Sequence, residues 1–191
     1  MSIFLETPRL ELRAFVESDL THLVELDGDP QVMRFIDGGR PTSVEAVRER
    51  VLPRLRHVYP AWGLPGFWAA RERDGGRFVG WFELRPLAED GVDVVELGYR
   101  LRRDAWGLGY ATEGSRALLD RGFAEPGLRE VTANTMSVNR GSRRVLEKLG
   151  LTLRRTYFGD WPEPIEGSEH GEVEYTITRA EWLLRTRPTL T

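Results

Sequence analysis

Two glycines one residue apart stand in the stretch Arg102–Gly114, RRDAWGLGYATEG, between a strand-like run and a helix start. The chemistry open to such a turn is phosphate binding. Glycine lets main-chain N–H groups come close to an oxyanion, and a larger side chain at Gly107 or Gly109 would hold a diphosphate away. The N–H groups around Trp106 to Ala111 also lie where the Tyr110 helix begins, as unpaired donors at the positive end of its dipole. One phosphate motif fails and a second fits only weakly. A P-loop requires Lys followed by Ser or Thr after the second glycine, and here Tyr110-Ala111 follows. A dinucleotide fingerprint requires a third glycine, and Gly107-Leu108-Gly109-Tyr110-Ala111-Thr112 ends in threonine. The glycines alone leave two readings open, a diphosphate cradle or a plain tight turn.

Other groups capable of chemistry are few. Asn139 and Ser142 open the run NRGSRRVLEKLG, and both residue types are good helix caps. His22, His57 and His170 are scattered with no metal-ligand spacing, so no metal is expected. The absence of cysteine excludes disulfides, thiolate zinc sites and a cysteine nucleophile. No nucleophile–histidine–carboxylate set is recognisable. The formal charge of −3 argues against a general nucleic-acid binder. Lys148 is the sole lysine, and so chain-wide an arginine bias reads as base composition rather than as phosphate recognition. No apolar run approaches a membrane span, and MSIFLETPRL lacks the apolar core of a signal peptide, so a cytoplasmic protein is expected.

The elements that must position these groups follow from periodicity and punctuation. LELRAF (Leu10 to Phe15) alternates as a half-buried strand. Ser18 is placed to cap a short helix carrying Leu20, Leu23 and Val24 on one face and stopping near Gly28. Thr42 and Glu45 stand at capping-box spacing before a helix that Pro53 kinks or divides. Residues 67–73 and 77–85, around Asp74-Gly75-Gly76, predict a hairpin. Then come a strand over Asp93–Leu101, a helix over Tyr110–Phe123, a strand over Glu130–Val138, and a helix over Ser142–Leu149 ended by a left-handed Gly150. LTLRRTYF and EVEYTITR predict two closing strands, with a short tail after Trp182. No repeat, low-complexity segment or long linker divides the chain. A single α/β domain over residues 1–191 with one central sheet is expected.

ELGYRLRRDAWGLGYATEG, with NRGSRRVLEKLGL about two dozen residues later, resembles the GCN5-related N-acetyltransferase (GNAT) superfamily. The branch it is most similar to is that of the ribosomal-protein N-terminal acetyltransferases, the RimJ/RimL type. ETPRLELRAF, the pair Gly80-Trp81 and YTITRAEW resemble that branch too, so the similarity runs from Glu6 to about Trp182. The resemblance implies a mixed, mostly antiparallel twisted sheet of about seven strands flanked by helices and splayed between strands 4 and 5. It implies acetyl-CoA as co-substrate and direct transfer of its acetyl group to a primary amine. The acceptor would be a small molecule or peptide: a protein N-terminus, amino acid, polyamine or aminoglycoside. A non-catalytic sensor of acetyl-CoA is the alternative, and a monomer or homodimer is expected.

Residue by residue, the resemblance places the pyrophosphate on Arg102, Trp106, Gly107, Leu108, Gly109, Tyr110, Ala111 and Thr112. Asp104 stands where the family carries Gln or Arg, so the grip should rest on backbone N–H groups, with Arg102 or Arg103 supplying a cation. Tyr99, Arg100 and Leu101 would bond the pantetheine arm through their backbone where the strand splays at a bulge. Glu96 lies where relatives carry a general base. Asn139 would hold the arm and Ser142 would lie beside the sulfur as a general acid. Asn134 would line the arm or the acceptor pocket. Around the acceptor, the sequence offers Trp62, Trp68, Trp81, Tyr157 and Trp161 with Asp160, Glu163, Glu166 and Glu169. Acids beside aromatics suit a cationic amine.

Overall fold

The computed structural model describes residues 3–159 and 163–186; Asp160 and Trp161 lie outside the described residues. Among the described residues ten strands are formed: β1 Ile3–Glu6, β2 Leu10–Arg13, β3 Val58–Tyr59, β4 Leu64–Pro65, β5 Phe67–Glu72, β6 Phe78–Pro86, β7 Val94–Leu101, β8 Glu130–Met136, β9 Thr152–Tyr157 and β10 Glu172–Thr178. Eight make one twisted sheet in the order β1-β2-β5-β6-β7-β8-β10-β9, and β3 with β4 forms a small separate pair. Every pairing in the large sheet is antiparallel except β7 with β8. The mixed, mostly antiparallel sheet expected from sequence is therefore present, with eight strands where about seven were expected. The additional strand is β1, which the IFLE stretch forms against β2.

Seven helices among the described residues flank it: α1 Leu20–Asp27, α2 Pro30–Asp37, α3 Val44–Ala46, α4 Leu52–Leu55, α5 Tyr110–Ala124, α6 Arg140–Leu149 and α7 Arg179–Thr186. α2 and α7 depart from the sequence reading. Asp29 caps α2 by accepting from Gln31 N–H at 2.8 Å, with Pro30 in its first turn and a left-handed Gly38 at its end. Two expected caps also move by one residue. Asp19, rather than Ser18, turns the chain into α1, accepting from Val16 N–H and from Arg13. Ser43, rather than Thr42, caps α3 through Ala46 N–H. The helix that Pro53 was expected to divide is indeed interrupted, by a π turn over Val47–Val51 just before α4.

The sheet separates two apolar layers. Leu10, Phe82, Leu84, Val95, Leu97 and Val131 pack with Leu118, Leu119 and Phe123 of α5 on one face. Phe67, Ala69, Phe78 and Trp81 pack with Leu23, Leu26, Val47 and Leu52 on the other. An ion pair crosses the second layer: Arg100 of β7 reaches the buried Asp27 of α1 at 2.5 Å and lies over the Trp81 ring. Removing one partner of such a buried pair typically costs about 3–5 kcal/mol.

The sheet is parted at one place. β7 and β8 pair only through Val94↔Glu130, Val95↔Val131 and Glu96↔Thr132, and then diverge. The splay expected between the fourth and fifth strands of the sequence reading is thus here, at β7 and β8. The expected bulge is not: β7 stays in unbroken register with β6 from Val95 to Leu101. Past Thr132, β8 keeps its full ladder to β10 while its pairs with β7 stop.

Helix α5 seats against β6 through Gly114, where an added Cβ would meet the Phe82 ring at 2.4 Å. A Gly114→Ala substitution is expected to cost about 1–3 kcal/mol by overpacking, despite alanine's better helix propensity. Urea unfolding checks this; an unchanged or higher midpoint would contradict the close seat.

Candidate active site

At one end of the parting lies the glycine turn. After β7 the chain makes a short turn over Arg103–Ala105, and α5 starts at Tyr110 with Gly109 as its N-cap. Gly107 and Gly109 both take left-handed backbone, with φ of 74° and 86°. No side chain caps the helix, and the amides of Gly107, Leu108 and Gly109 donate to no group among the described residues. An added Cβ on Gly107 would meet nothing within 4 Å, so protein packing does not demand glycine there. The left-handed turn demands it, and the outer side stays clear for a ligand.

The turn is held from behind. Glu113, in the first turn of α5, accepts from the Thr7 hydroxyl at 2.6 Å, from Arg9 N–H at 2.9 Å and from Arg9 Nε at 2.6 Å. Arg9 also donates to the Leu108 carbonyl and stacks over the Tyr110 ring. These contacts hold the Glu113 carboxyl below its usual range against the opposing effect of burial. Thr7 and Arg9 lie in ETPRLELR and Glu113 in GYATEG, so two stretches about a hundred residues apart form one clamp. Sequence reasoning quoted both stretches without seeing the charge complementarity that joins them.

Asp104 points away from the glycines, toward Arg77 at 3.0 Å and Arg102 at 3.5 Å. Arg102 is further engaged by Glu25 at 2.8 Å. Arg77 continues to Glu72, which accepts from the Tyr110 hydroxyl at 2.8 Å. Asp104 therefore serves to hold two arginines beside the turn, and Arg102 is shared between two carboxylates. The Trp106 side chain is 47% exposed beside Gly107, and its indole N–H donates to the Leu101 carbonyl at 2.9 Å.

Main-chain groups line the parting itself. Arg102 N–H donates to the Val79 carbonyl, and Asp93 C=O accepts from Arg129 and Glu130. Alternation along the strand then turns the backbone of Leu97, Tyr99 and Leu101 toward the gap and that of Arg100 toward β6. On the opposite wall, Ser137 N–H bonds to Gly171 C=O, so the backbone of Asn134 turns toward the gap. The parting is open to an extended ligand that pairs as an added strand.

Side chains flank it on both faces. Burial pushes the Tyr99 phenol up, opposed by the Ser142 hydroxyl beside it. Both lie on the α5–α6 face. Ser142 is placed there by the α6 N-terminus, which Asn139 caps by accepting Ser142 N–H at 3.2 Å. Arg143 ties that end down through the Ser137 carbonyl and the Tyr175 hydroxyl. Glu96 faces the other way, on the α1–α4 face. Its carboxylate accepts from Arg85 and, at 3.1 Å, from Asn134 Nδ2. Asn134 Oδ1 lies 3.1 Å from the Tyr157 hydroxyl, which bonds Glu172 at 2.7 Å. Arg85 also holds Glu83, the neighbour of Gly98 on β6. Glu83 is 7% exposed, and burial together with the Glu96 charge pushes its carboxyl up to about 7, with Arg85 opposing. Glu83 and Arg85 were missed in the sequence. Their signal was a charged i, i+2 pair on one face of the otherwise apolar run FVGWFELRP.

Beside Asn134 a cavity of about 480 Å³ opens on the sheet face, lined by Leu87, Thr132, Arg154, Arg155, Tyr157 and Glu174 among others. The loop acids expected to face a cationic acceptor are engaged elsewhere. Glu163 pairs with Arg40 and Glu166 with Arg34, all four well exposed. Glu169 accepts from Gly167 N–H. Trp62, Trp68 and Trp81 are partly or fully packed into the core. Among the described residues no cluster of metal-ligating side chains is found, and no helix is long and apolar enough to cross a membrane.

The family described as "Acetyltransferase (GNAT) domain" matches residues 9–152. The FsC-acetyl coenzyme A-N(2)-transacetylase of Aspergillus fumigatus is 39% identical over 98% of this chain and 81% of its own. An acetyltransferase of the GNAT family from Bacillus anthracis superposes with a TM-score of 0.77 at 23% identity, covering 94% of this chain and 100% of that one. The spermidine N-acetyltransferase of Vibrio cholerae, solved with CoA and spermine, gives 0.73 at 17% identity over 91% and 98% of the two chains.

Glu83 makes stability depend on pH. Its carboxyl is raised in the folded state, so its contribution is fully present below the unfolded value of about 4.5 and is lost as pH rises through about 7. Glu83→Gln should remove this loss, gaining on the order of 2–3 kcal/mol relative to the parent between pH 5 and 8. Thermal melts of both proteins across that range test it; parallel curves would refute the buried charge.

Proposed function

The chain belongs to the GNAT acetyltransferase family and is an acyltransferase, and on that premise we propose that it transfers the acetyl group of acetyl-CoA directly to a primary amine. The observation that carries this reading is one continuous opening, with uncapped helix amides at its mouth and a carboxylate at its closed end. The amides of Gly107 to Thr112 fit a diphosphate without an added side chain, since Asp104 and Arg102 are engaged with other partners. The free Leu97 carbonyl and the free backbone of Tyr99 fit the amides of the pantetheine arm. Asn139 caps α6 at the same mouth and so acts on the arm through Ser142 and the helix start.

The two sides of the opening divide the chemistry. An amine arriving on the Glu96 face loses a proton to that carboxylate, directly or through one water, as nitrogen attacks the thioester carbon. The new C–N bond forms, the C–S bond breaks, and the sulfur leaves toward the α5–α6 face. There Ser142, with Tyr99 beside it, can give the thiolate a proton, which Ser142 regains through water as Glu96 releases the one taken from the amine. Base and acid on opposite faces suit a direct displacement and need no acyl-enzyme.

The acceptor's body would occupy the cavity beside Asn134 and Tyr157. The two named relatives acetylate nitrogen by their printed names, one of them crystallised with a polyamine. We read the acceptor here as a small molecule or peptide bearing a primary amine.

Thiol release from acetyl-CoA, measured against a panel of amino acids, peptides, polyamines and aminoglycosides, tests the activity. Acceptor-dependent release is expected; tight acetyl-CoA binding without it across the panel would overturn the reading. Gly107→Glu should raise the acetyl-CoA Kd by at least about a hundredfold with the fold intact, since it puts a carboxylate against the diphosphate and strains the turn. Unchanged affinity would remove the phosphate role from the turn. Glu96→Gln should slow kcat/KM by roughly 10²-fold at pH 6 and by less above the amine's pKa of about 8–10, where the amine is already neutral. A loss of equal size at every pH would make Glu96 positional.

A further inference from the structure

One buried titratable group has no part in the transfer as described. Glu83 lies one strand away from the opening, in the middle of an otherwise apolar strand, yet the structure makes room for it. An added Cβ on Gly98 would stand 2.7 Å from Glu83 Oε2, and one on Gly66 would stand 2.5 Å from Arg85 Cβ. Two glycines on either side of β6 therefore clear space for two charged residues. Arg85 uses that space to fork: Nε donates to Glu83 Oε1 at 2.5 Å and Nη2 donates to Glu96. The three side chains are 21%, 10% and 19% exposed for Arg85, Glu83 and Glu96, so solvent screens the arrangement little.

We propose that Glu83, acting through Arg85, is a positioning residue that decides when Glu96 can take a proton from the acceptor amine. This rests on Glu96 being the base. The physical argument is one of charge counting. With Glu83 ionised, one guanidinium serves two carboxylates, the group carries a net charge of −1, and Glu96 retains affinity for a proton. With Glu83 neutral, Arg85 is left to Glu96 alone, and the pair resists protonation. Burial also pushes the Glu83 carboxyl up to about 7, so it gains a proton as pH falls below neutrality. The two carboxylates thus share one guanidinium as a coupled set, and the site is the stronger base once Glu83 has ionised.

The charges facing this set are few. Arg54 of α4 acts on Glu83 and packs over the Phe67 ring, and Tyr59 of β3 faces both Glu83 and Arg85, with Glu89 beyond it. Asn134 closes the far side of Glu96, linking it to Tyr157 and Glu172. His57 lies just beyond them, bonded to Glu89 at 3.1 Å and edge-on to the Tyr59 ring, with no hydrogen bond to Glu83, Arg85 or Glu96 among the described residues.

The test is a double-mutant cycle of kcat/KM against pH with one amine acceptor, using the parent, Glu83→Gln, Glu96→Gln and the double variant. Glu83→Gln mimics the neutral carboxyl at all pH. The ratio of parent to Glu83→Gln should rise from near one at pH 6 to about tenfold at pH 8, following one titration. In the Glu96→Gln background the Glu83 substitution should have no pH-dependent effect. If Glu96→Gln leaves the rate unchanged, the base assignment itself fails. If Glu96→Gln slows the enzyme but the Glu83 ratio is flat, or is the same in both backgrounds, the base stands and the positioning role falls. Carbon-13 carboxyl spectra of the parent protein give a readout that needs no variant. The Glu96 signal should shift at the pH where Glu83 titrates, and a Glu96 signal blind to that step would overturn the proposal.

Discussion

Everything in this protein is arranged around a failure of strand pairing. β7 and β8 share only three residue pairs before they part, and the parting leaves main-chain groups of Leu97, Tyr99 and Asn134 without a strand partner. Buried amides without partners are costly, and native structures rarely tolerate them. The sheet bears that cost because it is secured on both sides of the gap. β7 runs in unbroken register along β6, and β8 along β10, so each wall is rigid while the gap between them is not filled by protein. What enters the gap must therefore be strand-like and polar along its length. The co-substrate of this family, acetyl-CoA, offers two amides in its pantetheine arm.

A gap of this kind is useful only if its two ends are fixed relative to each other. At the mouth, the Thr7–Arg9–Glu113 clamp joins the N-terminal hairpin to the first turn of α5 and thereby sets the glycine turn. At the closed end, Arg85 and Asn134 hold Glu96 from two sides. The same few ångströms of β7 connect them: Glu96 stands where pairing ends, and Leu101 stands where the turn begins. Arg100 between them is pinned to Asp27 beneath the sheet, so this segment is anchored on its α1 face as well.

The order of the main elements and the location of the glycine turn were legible because each rests on local physics. Alternation made LELR and VVELGYRL strands, Asp74-Gly75-Gly76 made a hairpin, and Gly150 ended α6 in left-handed backbone. Short elements were less legible. IFLE gives too few residues for a period, and α2 carries its Asp29-Pro30 start and Gly38 stop around only eight residues. Within the site, residues marked by a motif were visible, whereas those defined by long-range partnership were not. Arg9 and Glu113 meet across more than a hundred positions, and Glu83 is set apart only by burial. The loop acids show the converse error. Glu163 and Glu166 looked like an acidic lure, and Arg40 and Arg34 on another segment neutralise them. No one-dimensional reading of charge could supply those partners.

The indole of Trp106 has a consequence of a different kind. By donating to the Leu101 carbonyl, it answers the first main-chain acceptor that an inserted strand would meet on entering from the turn. An incoming chain meets a carbonyl already engaged there and finds its first acceptor with both lone pairs free one step deeper, at Tyr99. The side chain thus acts as a zero mark on a ruler, with the distance from the glycine turn to the first available rung set before any ligand arrives. On the proposed role of Glu96 as base, a molecule of the right length would deliver its reactive end there, and one a bond too short or too long would stop out of reach. Length discrimination of this sort would come from a single hydrogen bond within the protein, at a position that never touches the reacting atoms.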